Sequence, residues 1–233
     1  MKHFSNRYIF IFSSVMVIAV ATLLAMAATM LQPKQLKNLE IEKKKSILES
    51  IGVEATAATT ENLYDKYITE SLVLNSRGEN IEGFDAFDIV LKEEEKKPLE
   101  EQHLPLFRAT AENGEKVTII PVEGKGLWGP IWGYISVKPD MSTVYGATFD
   151  HKGETPGLGA EINTRPFEDM FIGKKLFEDT KFVSVGVVKG GAKDGDPHNV
   201  DAISGGTITS KGLEKMLSDC LGKYNDYFVK NRN

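Results

Sequence analysis

Asp201-Ala202-Ile203-Ser204-Gly205-Gly206-Thr207-Ile208-Thr209-Ser210 places two adjacent glycines and four hydroxyl side chains directly ahead of an apolar tail. Glycines without Cβ atoms predict a sharp bend and close backbone approach to a ligand. A helix is expected to start near Thr209 or Ser210 and to run to Asn231. Leu213, Met216, Leu217, Cys220, Leu221, Tyr224 and Phe228 form its single apolar stripe. The free N–H groups and positive dipole end of such a helix suit a phosphate, with Ser204, Gly205, Gly206, Thr207 and Thr209 around it and Lys211 as an added cation. An ordinary N-cap after a glycine turn is the competing account. The segment is not a Walker loop, because the Gly-x-x-x-x-Gly-Lys order is absent.

Upstream of this bend the sequence is rich in strands. Leu106 to Thr110 and Val117 to Val122 flank Glu112-Asn113-Gly114-Glu115, and Asn-Gly between apolar runs is a hairpin signal. Ile131 to Val137 and Thr143 to Asp150 read as further strands joined through Pro139-Asp140, and Phe182 to Val188 as a core strand. Arg165 to Lys174 reads as a helix with Pro166 in its first turn. The Ala55-Thr56-Ala57-Ala58-Thr59-Thr60-Glu61 stretch offers a threonine cap for a short helix through Tyr67 to Leu72. Val73 to Glu79 then reads as a strand entering a turn, and Phe87 to Leu91 as another strand. Lys92 to Gln102 mixes charges of both signs and reads as a solvated connector. Strands leading into helices without regular alternation predict an α+β domain rather than a doubly wound sheet.

The N-terminal end carries an uncharged apolar run from Tyr8 to Leu31. As a helix it would cover roughly 36 Å, enough for a bilayer core of about 30 Å. Lys2 and Arg7 before it, and Ala25-Met26-Ala27 inside it, also suit a signal peptide, but the run exceeds the usual signal core of about 7–15 residues. A retained single-pass anchor is therefore expected. A helix from Gln35 to Ile51, ended by Gly52, should leave the membrane. Lys34, Lys37 and Lys43 to Lys45 follow the span, so charge alone does not favour export of the large domain. The expected organisation is an anchor over residues 1–33, a connecting subdomain over 34–100 and a ligand-binding domain over 101–233.

Composition narrows the partners. A formal charge of −5 with 26% charged residues argues against nucleic acid. The single cysteine, Cys220, rules out an internal disulfide and a cysteine-ligated cluster. Two further segments carry ligand-binding character. His151-Lys152-Gly153-Glu154-Thr155-Pro156-Gly157-Leu158-Gly159-Ala160 reads as a rigid loop after a strand. Glu154 and Thr155 can hydrogen-bond a polar heterocycle, while Gly157 shapes the loop and Leu158 supplies an apolar wall. His151 with Glu154 lacks a third metal ligand, so no metal site is expected. Gly124-Lys125-Gly126-Leu127-Trp128-Gly129-Pro130-Ile131-Trp132-Gly133-Tyr134 holds both tryptophans, either as core aromatics or as part of a site for a planar ligand.

Taken in order, the anchor, Gly-Lys-Gly-Leu-Trp, His-x-x-Glu-Thr-Pro-Gly-Leu-Gly and Asp-x-x-Ser-Gly-x-Thr-x-Thr-Ser closely resemble the C-subunit family of the sodium-translocating NADH:quinone oxidoreductase. The resemblance covers nearly the whole chain. The related G-type proteins of electron-transport complexes share the FMN-binding domain, but Gly-Lys-Gly-Leu-Trp favours the C-subunit family. The resemblance implies one FMN per chain, joined through its phosphate to Thr207 by an external flavin transferase that uses FAD. Thr209 is the nearest decoy, and Gly206 stands where the family usually has alanine. It also implies that Glu154, Thr155, Gly157 and Leu158 lie near the flavin, with Trp128 beside it. The bacterial inner membrane and other membrane and redox subunits become the expected surroundings, with the large domain on the periplasmic side. Electrons would arrive from an iron–sulfur centre and leave to another flavin subunit. No independent NADH oxidation is expected, since Gly-x-Gly-x-x-Gly is missing. A membrane-anchored flavin sensor without turnover is the alternative from another class. A hydrolase using Ser204 or Thr207 with His198 lacks the Gly-x-Ser-x-Gly elbow.

Overall fold

The computed structural model describes residues 5–232. The positive charge expected from Lys2 lies outside them. The described chain divides into two compact units at Lys43/Lys44.

The first unit is the apolar part of α1, Asn6–Glu49, a helix that continues through Pro33. The sequence predicts two helices here, and one 44-residue helix replaces them. Among the described residues it is the one helix long and apolar enough to cross a membrane, and its apolar window is unburied. Its last residues belong to the second unit. There the Gly52 N–H donates to Glu49 C=O at 2.9 Å and the Val53 N–H to Leu48 C=O at 3.0 Å. Gly52 sits at φ +79° between them. This pair of bonds is the left-handed helix stop that only glycine takes without strain, so the glycine expected to end the helix does so.

The second unit is built on one antiparallel sheet in sequence order: β1 Ile68–Leu74, β2 Leu104–Thr110, β3 Lys116–Lys125, β4 Pro130–Val137 and β5 Val144–His151. Residues 34–100, expected as a connector, thus supply an edge strand hydrogen-bonded to β2. The Asn113-Gly114 hairpin forms, with Gly114 at φ +81°. Side chains alternate between two cores. Leu74, Leu106, Ile120, Val122 and Ile135 enter one, while Val73, Phe107, Ile119 and Tyr134 join Ile47, Leu48, Ile51 and Val53 in the other. Burial on both faces explains why β2 and β3 read as nearly continuous apolar runs rather than alternating ones. The second core takes the last turn of α1 against the sheet, where the Ser50 and Ser136 hydroxyls hydrogen-bond at 2.8 Å.

The first core is closed by two helices near the C-terminal end, Thr207–Gly222 (α5) and Asn225–Asn231 (α6). Every residue of the expected stripe from Leu213 to Phe228 is buried. Burial also pushes the Cys220 thiol up to about 11, so this sulfur is a packing group rather than a nucleophile. The expected closing helix starts earlier, at Thr207, and breaks at Lys223-Tyr224, where the Tyr224 hydroxyl donates to Pro105 C=O at 2.7 Å.

Other local expectations are corrected. The short helix α2 is Thr60–Tyr67, and residues 68–72 join β1 because the edge of β2 offers hydrogen bonds to them. Residues 86–88 form a 3₁₀ turn, capped by the Asp85 carboxylate accepting from Phe87 N–H at 2.9 Å. The helix α3, Leu91–Glu94, follows, so no strand forms over 87–91. Within the charge run Glu94 is buried, accepting from Lys97 Nζ at 2.7 Å and His103 N–H at 2.9 Å. The helix expected from Arg165 shortens to α4, Arg165–Glu168, plus a 3₁₀ turn that brings Phe171 within 5.0 Å of Phe149. The strand over 182–188 is split by Ser184 at φ +62° into β7, Lys181–Phe182, and β8, Gly186–Val188. The former pairs with β6, Phe177–Glu178, and the latter runs parallel to β9, Asn199–Asp201.

One contact fixes where α5 lies. A Cβ at Gly212 would run into the Lys125 carbonyl and stand 3.4 Å from Gly126 Cα, so the helix rides directly on the end of β3. Alanine inside a helix normally gains about 1 kcal/mol over glycine. At Gly212 the collision outweighs that gain, and Gly212→Ala should lower unfolding stability by about 1–2 kcal/mol. Gly222→Ala meets only Phe182 at 3.6 Å and should be neutral or stabilising. Urea titrations of both variants check the contrast.

Candidate functional site

Three loops converge where α5 begins. The first joins β3 to β4 and carries Gly126, Leu127 and Trp128. The second follows β5 and carries Glu154 to Gly159. The third is the Gly205-Gly206 bend. Together they line a cleft of about 230 Å³ formed by Leu127, Glu154, Thr155, Leu158, Gly159 and residues 205–209. The three segments singled out in the sequence therefore meet.

Glu154 ties them together. Its side chain is buried, with the residue only 4% exposed. Oε1 accepts from the Trp128 N–H at 2.8 Å, and Oε2 accepts from the Thr209 hydroxyl at 2.5 Å. Its own N–H donates to His151 Nδ1 at 3.2 Å. A buried carboxylate is tolerable only when hydrogen-bonded, and these donors come from the β3–β4 loop and the first turn of α5. Room for it depends on two glycines. A Cβ at Gly126 would stand 2.5 Å from Oε1, and one at Gly159 would stand 2.6 Å from Oε2.

The start of α5 fits an anion. Its N-cap is Gly206, which has no side chain to cap the helix. The first helical bond is Ser210 N–H to Gly206 C=O at 2.9 Å. Among the described residues, the N–H groups of Thr207, Ile208 and Thr209 have no acceptor. The bend is held open beside them by the Ser210 hydroxyl, which accepts from Ile203 N–H at 3.1 Å. Gly205 supports the bend at φ +75°. Thr207 is half-buried, and its hydroxyl has no hydrogen-bond partner among the described residues. Free donors at a helix start are a ready anion site.

The remaining expected residues fall as follows. Thr155, Leu158, Gly205, Gly206, Thr207 and Thr209 line the cleft, whereas Ser204 and Gly157 do not. Ser204 is exposed, and the Gly157 N–H donates to Glu161 Oε1 at 3.0 Å. Trp128 joins the site through its backbone, and the residue is 69% exposed. Leu127, Gly159 and Ile208 also line the cleft. All three lie inside the quoted segments, but no local signal marks them individually. His198 belongs to a different hollow, where Nδ1 lies 2.8 Å from the Lys175 C=O, so it does not serve Ser204 or Thr207.

Fold and cleft define a class. Residues 126–222 match the model of the FMN-binding domain family, and that span contains all three loops. The chain is also 34% identical over 212 residues to the C subunit of the Na(+)-translocating NADH-quinone reductase of Vibrio anguillarum, covering 84% of this chain and 82% of that protein. The protein of the same name from Pasteurella multocida is 34% identical over 226 residues, covering 88% and 86%. A crystal structure of the corresponding C subunit from Parabacteroides distasonis superposes with a TM-score of 0.79 at 43% identity, over 85% of this chain and 97% of that one. The chain belongs to the C-subunit family of the Na(+)-translocating NADH-quinone reductase.

The glycine notch around Glu154 gives a direct test. Gly159→Ala drives a methyl against Oε2 and the Thr209 hydroxyl, and should cost about 1–3 kcal/mol. Gly153→Ala, with no atom within 4 Å of the new Cβ, should change stability by under about 0.5 kcal/mol. Denaturant midpoints measure both.

Proposed function

We propose that this chain is the electron-transfer subunit of a membrane-bound sodium-pumping NADH:quinone oxidoreductase. In this reading FMN is held by a phosphoester on Thr207. The observation that carries it is the pairing of a free Thr207 hydroxyl with three unpaired N–H groups at the start of α5. A phosphate ester on that oxygen would lie against those donors, and the positive end of the helix favours its charge. Thr155 and Leu158 would flank the cofactor, with Leu127 and Trp128 along the outer rim. Glu154, Gly157, Ser204, Gly205, Gly206 and Thr209 would shape the surrounding loops.

Attachment is a group transfer with no change of oxidation state. The Thr207 Oγ1–phosphorus bond forms, the pyrophosphate bond of FAD breaks and AMP leaves. The hydroxyl proton passes to an external flavin transferase. When bound, FMN supplies the electron chemistry. The chain positions it, shields one side and sets its surroundings. The cleft of about 230 Å³ is small beside the roughly 300–1,000 Å³ typical of sites that enclose a ligand. A tether then keeps the cofactor local without enclosure, because rebinding becomes intramolecular.

The family membership supports the rest of the reading. The apolar part of α1 would anchor the chain in the bacterial inner membrane with residues 101–233 as the flavin-binding part on the periplasmic side. Of residues 34–100, the helical start would lead out of the membrane, and β1 belongs to the sheet of the flavin-binding part. Small residues Ala19, Ala21, Ala25, Ala27 and Ala28 would allow close packing against neighbouring membrane subunits. Electrons would arrive from an iron–sulfur centre and leave to a flavin on another subunit.

Thr207→Ala should abolish covalent flavin while shifting stability by no more than about 0.5 kcal/mol, since the hydroxyl makes no bond to the core. In-gel flavin fluorescence after denaturation reads the first effect and a urea titration the second. A flavin band persisting in the variant would refute the assignment. Wild-type chain made without a flavin transferase should have its unmodified mass, and an FMN-sized increase under those conditions would contradict external attachment.

A further inference from the structure

Two threonines line the cleft at positions i and i+2, and the structure treats their hydroxyls differently. Thr207 is half-buried with a hydroxyl that has no partner among the described residues. Thr209 is 1% exposed and donates to Glu154 Oε2 at 2.5 Å. Positions i and i+2 lie about 200° apart around a helix, so the two side chains leave the first turn in opposite directions. The inward one is enclosed by Glu154 and by Gly159, where a Cβ would collide with the Thr209 hydroxyl.

We infer that Glu154 selects the attachment site: its carboxylate holds the Thr209 hydroxyl inside the cleft wall and leaves Thr207 as the acceptor. This rests on the reading that a flavin phosphate is transferred to a threonine here. A carboxylate that accepts from a hydroxyl stands where a base would, but two features oppose that role for Glu154. Thr209 is 1% exposed, with its hydroxyl turned into the wall, so little of that oxygen is presented to an incoming phosphorus. The negative charge of Glu154 also lies where an anionic pyrophosphate would have to approach Thr209, and like charges at short range repel strongly in a dry site. The same carboxylate spares Thr207, whose neighbours on the helix end are N–H donors. Glu154 is thus a positioning residue with a specificity role, acting through Thr209.

The balance of the transfer is the same at either threonine. An Oγ1–phosphorus bond forms, the FAD pyrophosphate bond breaks, AMP leaves and the transferase takes the hydroxyl proton. Only the choice of oxygen differs.

The test uses the full-length chain co-expressed with a flavin transferase, with fragment-ion mapping that separates Thr207 from Thr209. Wild type should carry flavin on Thr207, and Thr207→Ala should carry only a trace on Thr209. In the Thr207→Ala, Glu154→Ala double variant, labelling of Thr209 should rise by about 10- to 100-fold over Thr207→Ala, the factor matching loss of a charge-assisted hydrogen bond. If that variant does not fold, Thr207→Ala with Glu154→Leu decides, because leucine keeps much of the volume and has no acceptor for the Thr209 hydroxyl. A folded double variant with no gain on Thr209 overturns the inference. In Glu154→Ala alone, a purely structural Glu154 would lower labelling at both threonines, whereas selection moves part of it from Thr207 to Thr209. Wild-type label found elsewhere than Thr207 would instead sink the underlying attachment reading.

Discussion

One buried carboxylate organises this domain's chemistry. Glu154 is shut from water, yet its oxygens are matched by a backbone N–H from the β3–β4 loop and a hydroxyl from the first turn of α5. An unpaired buried charge would be strongly unfavourable, and removing either donor leaves part of it unsatisfied. The two bonds therefore hold three loops in a single arrangement. Glycines at 126 and 159 make the arrangement sterically feasible, since a side chain at either would occupy the space of the carboxylate.

The rest of the fold supplies the frame for that bond. The five-stranded sheet is covered on both faces, so β3 and β5, whose ends launch two of the loops, are fixed by packing rather than by the loops themselves. The third loop is placed by α5. That helix is seated on β3 by the stripe from Leu213 to Leu221 and by the absence of a side chain at Gly212. A helix held so close delivers its N-terminus to the loop at Gly126. The unsatisfied N–H groups that make an anion site are thus a consequence of core packing one and two turns further along. Precision at the site comes from apolar contacts remote from it.

Much of this frame is legible in the sequence, and the reasons are local. The Asn113-Gly114 hairpin, the β4 and β5 runs and the apolar stripe of α5 each carry their period or turn chemistry within a dozen residues. The three site segments stand out because glycine, proline and hydroxyl residues cluster in them. What is not legible depends on distant partners. Phe87 to Leu91 has strand-like composition, but Asp85 caps a 3₁₀ turn there. Residues 68–72 look helical until β2 offers an edge. The strand over 182–188 breaks at Ser184 because that residue takes a left-handed backbone. The Glu154 clamp joins residues 26 and 55 positions apart in the chain. Its motif marks Glu154 as polar and near a ligand, but no spacing rule shows that it faces Thr209. Sequence pattern puts the start of α5 two or three residues late for a related reason. Gly-Gly-Thr reads as loop, whereas packing of the helix body pulls Thr207 into the first turn.

The shape of the cleft bears on why attachment should be covalent. Leu127 is 44% exposed, Leu158 40% and Ile208 58%, so its apolar rim faces outward rather than around an enclosed volume. A ligand held only by such a rim and a helix start would exchange with solvent, since little of its surface is removed from water. Closing the cleft would improve retention but would bury the cofactor away from any electron donor or acceptor. An ester at the first helical residue separates these demands. Retention is carried by the bond, orientation by the helix start and the Glu154-held loops, and one side stays open to redox partners. On the proposed reading, then, the shallowness of the site and the free hydroxyl of Thr207 are two parts of one design. A deeper pocket would make the ester unnecessary, and an engaged hydroxyl would make it unattainable.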